Sequence, residues 1–182
     1  MVIIRKDMIY VKTKQKVDVV INSFLVIIGL MVIISAIFKY SEIKLVFIGI
    51  MFSYALLNLL QFLLTKKSND YEGLYTFITS LIVGIAALYF EFNVNTLSIC
   101  IMSWTTIMAI IKFIKTDYYN DRKDKMWKLR VITLILFIII GFLSALCLNY
   151  SDNIKVMIIG YFFLVNGILE LVDPVCKYLI GK

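Results

Sequence analysis

The stretch VITLILFIIIGFLSALCL, Val131–Leu148, is an unbroken apolar run with one glycine, Gly141, near its centre. The same arrangement stands twice before it, in SFLVIIGLMVIISAIF (Ser23–Phe38) around Gly29 and in FITSLIVGIAALYF (Phe77–Phe90) around Gly84. These glycines are 55 and 57 residues apart. A near-constant period of that length marks a repeated unit.

Between the glycine-centred runs lie others of similar length. The full set is about Val19–Phe38, Leu45–Leu64, Leu74–Phe90, Val94–Ile114, Val131–Leu148 and Val156–Val172. Each is close to the ~20 residues that cross a hydrocarbon core. With 62% hydrophobic residues and a single proline in 182 residues, the chain is more apolar than a globular domain, whose apolar share is roughly half. The expected fold is an all-α integral membrane protein with six transmembrane helices. A basic arm, Met1–Asp18, precedes a single membrane domain, Val19–Asp173, and residues 174–182 form a tail at the same membrane surface. The arm is expected as an interfacial segment or a frayed tail, with Val19–Phe38 retained as the first span because it exceeds the ~7–15 residues of a signal-peptide core.

Charge placement orients the domain. Of 19 basic residues, 16 fall in the arm, the second connection, the region from Lys112 to Arg130 and the carboxy terminus, and three (Lys39, Lys44 and Lys155) fall on the other side. The positive-inside rule then puts both termini in the cytoplasm, at the cell membrane. The same placement turns the +7 net charge away from a nucleic-acid partner and toward the lipid bilayer. The fourth connection, Lys115–Arg130, is expected as a long polar loop whose basic strip would attract anionic lipids at the cytoplasmic face.

The second span of each unit carries its own aligned pattern. Ala55, Ala109 and Gly167 follow one another at 54 and 58 residues, and three residues beyond each stands a polar group: Asn58, Lys112 and Glu170. Gln61, Lys115 and Asp173 come three further on. The domain therefore reads as three tandem parallel two-helix repeats, about 19–65, 74–115 and 128–173. Asn58, Lys112 and Glu170 would share one depth and form a polar layer. Gly29, Gly84, Gly141 and Gly167 are expected at helix contacts, since small residues let backbones approach in lipid. Gly49-x-x-x-Ser53, Ser80-x-x-x-Gly84, Thr105-x-x-x-Ala109 and Gly141-x-x-x-Ala145 fit the same packing pattern. Asp173-Pro174 is expected to end the last span, because a residue before proline is steered out of the helical region.

Three tandem hairpins, with glycines at 29, 84, 141 and 167 as carriers over roughly Ser23–Asp173, resemble the HdeD family of acid-resistance membrane proteins. The chain departs from that pattern in having Phe38-Lys39 where a proline would follow the first span, and alanine at 55 and 109. The resemblance implies a non-enzymatic membrane protein of the envelope, active under acid stress. The alternative is a small transporter or channel for a solute. No enzyme is expected: histidine is absent, Cys100, Cys147 and Cys176 form no C-x-x-C pair, and no nucleophile, base and orienting group can be assembled. No cofactor or metal site is read.

Overall fold

In a computed structural model the described residues form six helices: α1 (Val2–Ile37), α2 (Ile43–Thr65), α3 (Glu72–Tyr89), α4 (Val94–Asp121), α5 (Trp127–Leu146) and α6 (Asp152–Ile180). The structure describes residues 2–38, 42–65, 71–91, 93–121 and 126–180, and side chains from Lys14 to Lys177 among them. Basic residues expected to mark the loops at Lys39, Lys66, Lys67, Arg122, Lys123, Lys125 and Lys182 lie outside the described residues, as do the side chains of the arm before Lys14. Every helix contains a stretch long and apolar enough to cross a membrane.

Local chemistry sets the ends. Asn93 takes the N-cap of α4, its Oδ1 accepting the backbone N–H of Thr96 at 2.8 Å, which satisfies a donor that the first turn cannot pair internally. Lys44 reaches across from the start of α2 to the carbonyl of Leu88 at the end of α3, 3.2 Å away. Ser98 Oγ on α4 does the same to Ala145 O on α5 at 2.9 Å.

Successive helices touch, and α1 closes on α6 in the most extensive contact of the set, followed by α2 with α3 and α4 with α5. Each of these three pairs seats a glycine. A Cβ on Gly29 would lie 2.5 Å from Leu164 N on α6; one on Gly84 would lie 3.2 Å from Met51 Cβ on α2; one on Gly141 would collide with Thr105 on α4. The α1–α6 seam has two more such places, Gly160 against Ile33 and Gly167 against Val26. Helices α2, α4 and α6 meet at the centre, where Phe47, Ile101 and Ile159 are fully buried, as are Trp104 and Phe162 one turn on. Trp104 packs against Tyr54, Phe137, Phe162 and Phe163 at ring separations of 5.3 to 6.0 Å. Its Nε1 donates to Ser80 Oγ at 3.0 Å.

Four expectations are corrected. The arm is no separate segment: α1 is one helix of 36 residues, because nothing between Val2 and Val19 breaks it. The fourth connection is short: α4 runs on to Asp121 and α5 starts at Trp127. Its added turns are held by Tyr119, whose ring lies 3.3 Å under the Arg130 guanidinium and 4.8 Å from Lys177 Nζ. A Cβ added at Gly49 would meet nothing within 4 Å, so this glycine faces outward and Gly49-x-x-x-Ser53 is no packing seam. Finally, Pro174 lies inside α6 and does not end it. Proline removes the N–H that would serve the carbonyl of Glu170, and Asn22 Nδ2 from α1 donates to that carbonyl at 3.1 Å.

Candidate functional site: a charged vestibule

The middle of α1, the starts of α3 and α5 and the later turns of α2, α4 and α6 lie at one level of the bundle. Three polar pairs cross between neighbouring helices there. Gln61 Nε2 donates to Asp18 Oδ1 at 2.7 Å, Lys115 is ion-paired with Glu72, and Arg130 Nη2 forks onto both oxygens of Asp173 at 3.1 and 2.9 Å. Each pair spans 43 residues of sequence. From Asp18 to Glu72 to Arg130 the steps are 54 and 58 residues, as they are from Gln61 to Lys115 to Asp173.

The three pairs surround a cavity of about 70 Å³. Lys112 of α4 and Glu170 of α6 form an ion pair on its wall, one turn deeper than Lys115 and Asp173. Beneath them lie Leu134, Phe137 and Leu169, and Lys112 Nζ stands 5.0 Å from the Phe137 ring centre. Asn22, Thr116 and Thr133 complete the polar lining. Four carboxylates, Asp18, Glu72, Glu170 and Asp173, face Lys112, Lys115 and Arg130. Lys177 adds a fourth cation 3.4 Å from Asp173. Among the described residues, the lining therefore carries four carboxylates and three cations, with Lys177 beside it. Pairing matters there because the side chains are partly withdrawn from water, where an unmatched charge costs several kcal/mol.

Of the expected polar layer, the structure brings Lys112 and Glu170 together and leaves Asn58 out. Asn58 is buried, but its amide donates to the Tyr54 carbonyl on its own helix at 2.8 Å, and it does not line the cavity. Gln61, one turn on, takes the α2 position instead. A polar link does exist deeper in the bundle, where Asn166 Nδ2 donates to the Tyr54 hydroxyl at 3.2 Å. The four expected packing glycines lie in helix contacts, away from this cavity. Sequence reasoning misses Asp18, Asn22, Glu72 and Arg130 as site residues. The same 54- and 58-residue steps, applied to the starts of the first spans, find three of them.

Among the described residues, no group of three or more His, Cys, Asp or Glu side chains could hold a metal ion. The chemistry on offer is ionic and hydrogen-bonding recognition of something small and polar, over an apolar floor. No family model, curated protein or solved structure matches the chain.

Proposed function

We propose that the chain is a non-enzymatic integral membrane protein of the HdeD-like type, built of three tandem parallel two-helix repeats and working in the envelope under acid stress. The observation that carries the repeat reading is the set of three cross-helix polar pairs at one separation of 43 residues. It is supported by the glycine of every first span seating on the second span of the preceding unit, with α1 closing cyclically on α6. Parallel repeats of this kind are related by an axis along the membrane normal. Bilayer insertion is supported by the outward faces, which carry large apolar side chains such as Met31, Leu63, Ile82, Ile99, Ile132 and Leu146 at more than half exposure. Soluble monomers do not present apolar surface on that scale.

In this reading the vestibule opens to the cytoplasm, with both termini. Single cysteines at Asn93 and Asp121, placed in a background lacking the native three, provide the check. A membrane-impermeant thiol reagent applied to intact cells should label the first and spare the second; the reverse would invert the topology.

The aromatic cluster around Trp104 fills the axis below the vestibule, which supports a bundle that does not conduct. Cells lacking the chain should survive an acid challenge less well than cells that have it, while liposomes carrying the purified protein pass protons and potassium no faster than empty ones. Equal survival would remove the stress role. A protein-dependent flux would instead make the chain a small channel or transporter.

A further inference from the structure

We infer that α6 carries a hinge at Glu170–Pro174 and that the turns beyond it form a gate on the vestibule, held shut by Lys177 resting on Tyr119. The inference does not depend on the envelope role. It starts from the chain's single proline, which stands inside a helix and on the wall of the cavity. With no N–H at Pro174, the carbonyl of Glu170 has no donor in its own helix, and sharp bends in helices gather at such places. In an apolar surrounding that orphan carbonyl would be costly. Asn22 of α1 donates to it instead, at 3.1 Å, so α6 can bend at this turn while the carbonyl stays satisfied.

The latch lies one turn past the hinge. Lys177 Nζ stands 3.4 Å from Asp173 on the near side of the proline, and 4.8 Å from the centre of the Tyr119 ring on α4. The second contact is the one that joins two helices. Tyr119 is fixed in turn by the Arg130 guanidinium of α5, 3.3 Å from its ring centre, and Arg130 forks onto both oxygens of Asp173. Three helices are thereby fastened together beside the cavity. Closed, a cavity of about 70 Å³ holds a few waters. Because Asp173 and Pro174 belong to its wall, a bend at the hinge away from α4 widens it.

The length of the gate sets the size of the movement. A bend of about 20–30° over the roughly 9 Å of helix from Pro174 to Ile180 displaces the helix end by about 3–5 Å.

The test measures spin-label distances in the full chain, in lipid nanodiscs and in a background lacking the three native cysteines. One label pair, Leu64→Cys with Ile180→Cys, spans the hinge; the other, Leu64→Cys with Ile168→Cys, stops short of it. Tyr119→Leu should give the first pair a second distance, displaced by about 3–5 Å, and leave the other pair unchanged. Lys177→Met removes the same contact from the opposite side and should do the same. Adding Pro174→Ala, which restores the backbone donor, should return the first pair to its single distance. Should Pro174→Ala fail to fold, the two label pairs in Tyr119→Leu decide alone. An unchanged first pair in both latch variants overturns the inference. So does an equal displacement of the second pair, which would mean general loosening, or a second distance that persists with Pro174→Ala.

Discussion

Replacing Gly29 with alanine should lower the thermal unfolding midpoint of the purified protein further than alanine at Gly84, Gly141 or Gly49. The added methyl would sit 2.5 and 2.6 Å from the backbone N and Cα of Leu164, and backbone inside a helix cannot step aside. Contacting carbons prefer about 3.5–4.0 Å, so α1 and α6 would have to part by roughly 1 Å. A gap of that width forfeits a quarter to a half of each dispersion contact along the seam. Overpacking usually costs about 1–3 kcal/mol, and more where relief is blocked; Gly29→Ala belongs at the upper end. Gly141 meets a side chain instead, so Gly141→Ala should recover much of its loss when Thr105→Ala is added. Gly49, with open space beside it, should tolerate alanine without loss. If Gly29→Ala and Gly49→Ala melted alike, the close α1–α6 approach would be wrong.

Breaking the Lys112–Glu170 pair should have the next largest effect. Their side chains retain 13% and 23% of their exposure, nearer to interior than to surface. Removing one partner of a buried pair costs about 3–5 kcal/mol, against at most about 1 for a pair in water. Lys112→Met and Glu170→Gln should each cost about 3 kcal/mol, the lower edge of the buried range. The double variant should show a coupling of about 1–3 kcal/mol, measured as the departure from additivity in thermal or denaturant unfolding. Asn58→Leu should couple to neither, because its amide is committed to the Tyr54 carbonyl. Strict additivity of Lys112→Met and Glu170→Gln would show that the pair contributes nothing.

How much of this is legible in the sequence depends on the range of the physics involved. Six helices follow from hydropathy alone, because a stretch such as Val131–Leu148 has no other economical way to satisfy its backbone in lipid. The matching three-residue steps from Ala109 to Lys112 and from Gly167 to Glu170 are enough to place the two side by side. Asn58 breaks the pattern through its own stereochemistry: a short amide can bond its own helix one turn back, and here it does. Pro174 misleads for the opposite reason. The local rule about the residue before proline is sound, but Asn22, 148 residues away from Glu170, supplies the missing donor. Asp18, Glu72 and Arg130 look like ordinary interface charges because hydropathy does not say which helices are neighbours. Only the closed arrangement brings them round one cavity.

The seam between α1 and α6 also fixes an order of events while the chain is being made. Its partners are the first and sixth helices, tied by a contact between Asn22 and Glu170, so the largest interface has to wait until α6 is made. At about 5–20 residues per second, α1 waits on the order of ten seconds or more after its own synthesis before α6 emerges. For that time the groove at Gly29 lacks its partner, and α2 through α5 assemble against one side of an unfinished bundle. The carbonyl of Glu170 meets the mirror-image problem, since Pro174 leaves it without a donor until Asn22 is in reach. Ring closure therefore acts as a completion step: a chain that stops before α6 leaves its first helix with its best partner never made.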